Sequence, residues 1–305
     1  MRLIFAGTPE TAVPLLEAVN ELGHQLVGVL SRPDTAKGRS KKLRPSPVAR
    51  RAEELGVPVY KPAALRGAEG EDLITSLHPD LVVVVAYGMI IPKNLLSIPR
   101  HGWVNVHYSL LPRWRGAAPV QRAIEAGDTA SGVSIFQIEE GLDTGPVWDR
   151  QEIPIGMATD APKLFEELND AACRIVGRVV GAIEAGETEP VPQVGQPTYA
   201  HMYSKADQQI DWSKPAQQVS AQIRAFTPTA WTCFEGTRMK IALPTVTSKI
   251  LPVGGIEATK KQLFVGTAST ALELGQVSPA GKKWMGGAAW ARGAHLDASS
   301  KMGEK

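Results

Sequence analysis

Short apolar runs alternate with amphipathic stretches over roughly the first 190 residues, and this alternation sets the expected architecture. Arg2 to Gly7 carries Leu3, Ile4, Phe5 and Ala6 without a polar break, the pattern of a strand buried on both faces. Thr8-Pro9-Glu10 then opens a helix through about Leu22, with Val13, Leu16, Val19 and Leu22 on one stripe. His24 to Leu30 predicts a second strand. Ser46 reads as an N-cap with Pro47 at the first helical position, leading a helix to Leu55 that stops at Gly56. A short strand at Val57 to Tyr60, a helix near Glu69 to Leu77 and a fully buried strand at Leu81 to Val85 follow. Trp103, Val104 and Val106 look like a strand end, Ala117 to Ala126 a short helix and Gly132 to Ile138 another strand. Asp160 to Ala185 carries a long amphipathic helix with Leu164, Leu168, Ala172, Ile175 and Val179 on one stripe. The prediction is an α/β domain with a doubly wound, mainly parallel sheet.

The pattern changes after Glu189 to Pro197, a stretch rich in Pro and Gln that reads as a linker. Beyond it, strand-like runs at Thr232 to Phe234, Met239 to Ala242, Ile256 to Thr259, Gln262 to Val265 and Ala271 to Leu274 are separated by Pro and Gly, which suggests a small β-barrel. The expected division is a first domain over 1–189, a linker over 190–207 and a second domain over 208–305.

Composition narrows the class. Hydrophobic content of 43% and charge of 21% are ordinary for globular chains. The longest apolar run, Leu81 to Ala86, is too short to span a bilayer, and Met1 to Gly7 lacks the length of a secretory signal, so the protein is expected in the cytoplasm. Cys173 and Cys233 show neither metal spacing nor a disulfide framework and read as structural. His24, at the start of its strand, also reads as structural. The net charge of +2 is unevenly spread: Ser31 to Arg51 holds eight basic residues and one acidic, and Lys205 to Lys305 thirteen basic and seven acidic. Two basic regions on an acidic background point to a polyanionic partner, most simply nucleic acid. No G-x-G-x-x-G follows the first strand and no P-loop lysine motif occurs, which removes the main support for nicotinamide or nucleoside triphosphate chemistry.

The chemistry is concentrated between Gly102 and Pro119. The period of two puts Asn105, His107 and Ser109 on one face at a strand's carboxyl end, where open parallel sheets bind ligands. Pro112 and Gly116 forbid regular continuation, so the chain should leave the sheet as an ordered loop carrying Arg113, Trp114 and Arg115. An amide, an imidazole and a hydroxyl at this spacing can converge on one carbonyl oxygen.

Asn105-Val106-His107-Tyr108-Ser109-Leu110-Leu111-Pro112, with Arg115-Gly116-Ala117-Ala118-Pro119 after it, resembles the signature of the folate-dependent formyltransferases. Gly141-Leu142-Asp143-Thr144-Gly145 is similar to the turn that carries their third catalytic residue. The resemblance implies Asn105, His107 and Asp143 as catalytic residues, 10-formyltetrahydrofolate as a consumed co-substrate, and no metal. It implies a folate site made by Ala86, Tyr87 and Gly88, largely through their backbone, with Ser109, Leu110, Leu111 and Pro112. The segments Pro33-Asp34, Gly38-Arg39, Lys41-Lys42-Leu43 and Pro45-Ser46-Pro47-Val48 resemble a loop that the tRNA-acting branch of the family inserts at the acceptor stem, so Arg39, Lys41 and Lys42 would touch RNA. Thr198-Tyr199-Ala200, Ile210-Asp211-Trp212 and Arg224-Ala225-Phe226 resemble that branch's passage into an OB-like second domain that contacts tRNA. Gln276 to Lys283 resembles that domain's last strand and loop.

The implied activity is formylation of the free amino group of methionine on initiator methionyl-tRNA, for translation initiation. In this scheme Asn105 and a protonated His107 stabilise the negative oxygen of a tetrahedral intermediate, and Asp143 raises the proton affinity of His107. Tyr108 stands where the family carries a smaller residue and is expected to narrow the pocket; Thr11 and Phe226-Thr227-Pro228-Thr229-Ala230 also depart from the family pattern. A formyltransferase acting on a small amine would share the site but leave the basic loop and barrel without a role. A non-catalytic RNA-binding protein would use the charge and make the Asn105, His107 and Asp143 set accidental. No dimerisation stripe is visible, which favours a monomer.

Overall fold

The computed structural model describes residues 1–36, 42–186, 188–297 and 299–303. The two uninterrupted apolar runs, Arg2–Gly7 and Leu81–Val85, lie side by side at the centre of a seven-stranded sheet. Across the sheet the order is Val147–Pro154, Ala130–Gln137, Trp103–His107, Leu81–Val85, Arg2–Gly7, Gln25–Leu30 and Val59–Tyr60. From Trp103–His107 through Val59–Tyr60 every pair is parallel; Ala130–Gln137 joins Trp103–His107 antiparallel.

The central strands are apolar throughout because both faces are covered. Ile4, Ala6, Val82 and Val84 share one core with Leu65, Ile74, Leu77, Leu95 and Trp103. Leu3, Phe5, Val83 and Val85 alternate to the other side and are equally buried. Each such side chain taken from water contributes about 1.5–3 kcal/mol.

The helices follow their sequence signals with small shifts at the ends. Glu10–Ala12 forms a 3-10 turn before the α-helix Val13–Asn20. Helix Pro47–Glu54 has the expected cap, Ser46 Oγ accepting from the Ala49 amide at 3.0 Å. On helix Ala161–Ala185 the expected stripe of Leu164, Leu168, Ala172, Ile175 and Val179 is buried. Strand Val147–Pro154 was not expected; it is an edge strand, polar enough to hide its period.

The second sheet is antiparallel and holds Trp231–Phe234, Thr237–Val246, Leu272–Pro279, Leu263–Val265 and Ile256–Ala258 in that order, with Met285–Gly286 beside Leu272–Pro279. This is the OB-like part of the chain. Helix Ala216–Ala225 packs on strand Thr237–Val246 and on helix Pro119–Glu125. The pattern had not marked this helix, because Ser220, Gln222 and Arg224 are buried polar residues. Gln222 Nε2 donates to the Asp207 and Gln209 carbonyls, both at 2.9 Å, and Arg224 Nη1 to the Thr159 carbonyl at 2.8 Å.

The compact units do not follow chain order. One comprises 1–116, 132–153 and 166–199; the other comprises 117–131, 154–165 and 200–305. Among the described residues no helix is long and apolar enough to cross a membrane. Cys173 and Cys233 are free thiols.

Candidate active site

Strand Trp103–His107 builds the site by alternation. Trp103, Asn105 and His107 share one face; Trp103 is anchored by its indole nitrogen donating to the Leu95 carbonyl at 2.8 Å, and the polar pair lies toward the carboxyl end. Asn105 sits between Val84 and Phe136 on the neighbouring strands, half-buried, with no hydrogen-bond partner for its side-chain amide among the described residues. That amide is a free donor set in a rigid sheet.

His107 is only 5% exposed and stands edge-on to Phe136, ring centres 6.3 Å apart. Its Nε2 lies 2.9 Å from the Trp114 carbonyl, an acceptor only, so Nε2 carries a hydrogen and in the neutral ring Nδ1 holds the lone pair. Nδ1 faces Asp143 Oδ2 at 3.7 Å. Burial lowers the His107 pKa below its ordinary 6.5, opposed by the Asp143 carboxylate and the bond to Trp114, both of which raise it. Desolvation disfavours the charged ring and Asp143 favours it, and the balance lies toward the neutral form.

Asp143 arrives on the expected turn. It is left-handed (φ 52°), and Oδ2 accepts from the Gly116 amide at 2.7 Å. Gly145 has no room for a side chain, since a Cβ would stand 1.8 Å from the Gln137 carbonyl oxygen. Gln193 closes over this turn. Its Nε2 donates to the carbonyls of Asp143 and Gly145, both at 2.8 Å, while its Oε1 accepts from Arg115 Nη2 at 2.7 Å and Nε at 3.2 Å. The segment carrying Gln193 is stitched down at both ends. Val191 and Val147 exchange backbone bonds at 2.8 Å, and Thr198 accepts from the Arg115 amide at 2.8 Å and, through Oγ1, from the Trp114 amide at 2.9 Å. A Pro- and Gln-rich composition gave no signal of this role, because every partner of Gln193 is distant in the chain.

The remaining expected folate residues divide into surface and support. Ala86 and Gly88 are exposed at the carboxyl end of Leu81–Val85, both left-handed (φ 47° and 77°). Tyr87 between them is buried, its carbonyl accepting from Thr8 Oγ1 at 2.8 Å, so it offers backbone rather than ring to a ligand. Burial raises its phenol pKa. Arg32, from the end of Gln25–Leu30, passes beside Gly88. Leu110 and Pro112 are half-buried. Ser109 and Leu111 lie behind them: the Ser109 hydroxyl donates to the Arg113 carbonyl at 2.5 Å, and Leu111 packs on Phe136 and Val147. Trp114 is left-handed (φ 61°), the conformation in which its carbonyl meets His107, and Arg113 stacks over its ring at 4.6 Å. Tyr108 has a partner within the fold. It is buried, and its hydroxyl donates to Asn169 Oδ1 at 2.5 Å, tying the strand end to helix Ala161–Ala185.

The basic loop is rooted at the same sheet edge. The Ser31 and Ser46 hydroxyls meet at 2.6 Å across its base, Asp34 pairs with Lys61 at 2.8 Å, and Thr35–Ala36 pairs antiparallel with Leu43–Arg44. Lys42 is exposed beside this hairpin; Arg39 and Lys41 lie outside the described residues. Among those residues no group of three or more His, Cys, Asp or Glu is placed to hold a metal. A cleft of about 530 Å³ opens in the other unit near Ile210, Trp212, Val253 and Met302. Its carboxylate, Asp211, accepts from Ser213 Oγ at 2.5 Å, which lowers its pKa.

Two family profiles match the chain, Formyl transferase over residues 1–180 and Formyl transferase, C-terminal domain over residues 202–295. A protein named methionyl-tRNA formyltransferase from Cutibacterium acnes is 47% identical, covering 99% of this chain and 100% of its own length. One of the same name from Thermobifida fusca is 45% identical over the whole of both chains. Among solved structures, an N-formyltransferase from Helicobacter canadensis in complex with folinic acid and dTDP-3-aminofucose superposes with a TM-score of 0.68 at 18% identity, covering 89% of this chain and 97% of that one. HypX from Aquifex aeolicus in complex with tetrahydrofolic acid gives 0.65 at 16%, covering 96% of this chain and 47% of that one. At those identities the two structures share the fold.

Proposed function

The chain belongs to the formyl transferase family, with both its N-terminal and C-terminal domains, and from this premise we propose how its residues work. It transfers the formyl group of 10-formyltetrahydrofolate to the free amino group of methionine on initiator tRNA, the activity named for relatives it matches end to end. The observation that carries the site is the meeting of three groups at one sheet edge: the unpartnered Asn105 amide, the neutral His107 ring and the Asp143 carboxylate 3.7 Å from it.

The methionyl nitrogen attacks the formyl carbon, and the carbonyl oxygen gains a negative charge. Asn105 donates to that oxygen from a position fixed by the sheet, a contribution of about 3–4 kcal/mol. As the new C–N bond forms, the attacking nitrogen must lose a proton. His107 Nδ1 and Asp143 Oδ2 are two acceptors facing each other, a ready seat for that N–H. The proton moves to the imidazole, whose new positive charge lies against Asp143, and then to N10 of the folate as the C–N10 bond breaks. Neutral His107 is thus suited to accept a proton at the start and return it at the end.

Ala86, Tyr87 and Gly88 offer backbone and Leu110 and Pro112 apolar surface to the folate, with Ser109 and Leu111 holding that surface from behind. Arg39, Lys41 and Lys42 meet the tRNA, with catalysis in 1–189, a linker over 190–207 and RNA contact continued by 208–305. The enzyme works as a monomer in the cytoplasm.

The test is formyl transfer to initiator and elongator methionyl-tRNA by the wild type and by Asn105→Ala. Transfer confined to the initiator, with kcat about 100- to 1000-fold lower in the variant and KM little changed, is expected. Equal use of both tRNAs, or a variant as fast as wild type, contradicts the reading.

A further inference from the structure

We propose that Gln193 is a positioning residue for the reaction, setting the place of Asp143 by joining the turn that carries it to the segment that grips its carboxylate. The inference rests on Asp143 acting in the transfer. Two groups fix Asp143: its backbone turn, residues 143–145, and the Gly116 amide that binds Oδ2 at 2.7 Å. Gln193 touches both walls. Its two N–H donors reach the carbonyls of Asp143 and Gly145, and its single oxygen takes the guanidinium of Arg115, the residue before Gly116. Every polar group of the side chain is therefore committed, and no other residue type offers two donors and one acceptor in this planar arrangement at this length.

The turn needs such a tie. Asp143 is a non-glycine residue in the left-handed region (φ 52°), a conformation that its surroundings help to hold. Gly145 is pressed against the Gln137 carbonyl, so the turn has one face already fixed and the other closed by Gln193. Without the amide, the carbonyls of half-buried Asp143 and buried Gly145 lose their donor, and Arg115 loses its acceptor. The carboxylate then drifts relative to His107, whose Nδ1 it faces across 3.7 Å. A displacement of about 1 Å in a catalytic group costs up to ~100-fold in rate.

Gln193→Met keeps the length and removes the polarity; Gln193→Glu keeps the acceptor for Arg115 and removes both donors. In either variant kcat is expected to fall about 10- to 100-fold, with KM for tRNA and for the folate within about two-fold of wild type. The deciding experiment is a double-mutant cycle with Asp143→Asn. If Gln193 acts through Asp143, its replacement in that background costs less than about three-fold more. Independent, multiplied losses, or a change confined to KM, overturn the proposal, as does undiminished kcat. Should Asp143→Asn alone keep wild-type kcat, the assignment of Asp143 to catalysis fails. The positioning claim is then read from the NMR titration of His107: Gln193→Met is expected to lower its midpoint by moving the carboxylate away, and an unmoved midpoint rejects it. If one variant fails to fold, the other carries the cycle.

Discussion

At the scale of single residues, His107 shows how burial and a neighbouring charge compete. Its pKa lies below the ordinary 6.5 because desolvation exceeds the pull of Asp143 and the Trp114 carbonyl. The folded chain therefore holds the ring neutral where the unfolded chain protonates it. As pH falls below about 6.5 the unfolded state takes up a proton that the folded state refuses, so stability declines; above that value this residue contributes no slope. A plot of unfolding midpoint against pH should show a decline on the acid side of 6.5 that His107→Gln lessens. The acid limb of kcat/KM should likewise lie below 6.5 in the wild type, and a limb above it would mean that the charged ring is the resting form. Strand alternation placed Asn105 and His107 on one face, and the likeness of Gly141 to Gly145 to the formyltransferase turn pointed to Asp143, because both signals are local in the sequence. Gln193 was not, since its worth lies in bonds to Arg115, Asp143 and Gly145, all assembled by the fold. The contact of Tyr108 was hidden for the same reason: its partner, Asn169, stands on a helix far along the chain.

At the scale of elements, Ser46 serves two structures at once. Its hydroxyl caps helix Pro47–Glu54 through the Ala49 amide and meets Ser31 across the root of the basic loop. Ser46→Ala should cost about 1–2 kcal/mol, the value of an N-cap, measured by denaturant unfolding. Ser31→Ala breaks only the loop contact and should cost less. Equal losses would show that the cap contributes nothing. The cap was visible as Ser-Pro ahead of an amphipathic run. Helix Ala216–Ala225 was not, because Ser220, Gln222 and Arg224 interrupt its apolar period and are satisfied only by carbonyls elsewhere. Edge strand Val147–Pro154 was hidden by its own polarity, as edge strands are when they avoid pairing with other chains.

For the whole molecule, the uneven charge is the expected source of attraction for tRNA. The net charge is only +2, yet eight basic residues fall between Ser31 and Arg51, so the attraction is local and salt-dependent. Initiator tRNA affinity measured against salt should lose about one unit of log–log slope in Lys42→Ala if this side chain meets a phosphate, and an unchanged slope would remove Lys42 from the contact. The basic character of the loop that carries Lys42 was legible from its composition, but the pairing of Thr35–Ala36 with Leu43–Arg44 at its root was not. The compact units interleave along the chain, since residues 117–131 and 154–165 join the unit completed by 200–305. That interleaving has a consequence for synthesis. On the ribosome, helix Pro119–Glu125 emerges well before Ala216–Ala225, the helix that packs on it. At about 5–20 residues per second its apolar side waits several seconds for a cover, an interval in which a nascent chain offers a natural foothold to chaperones.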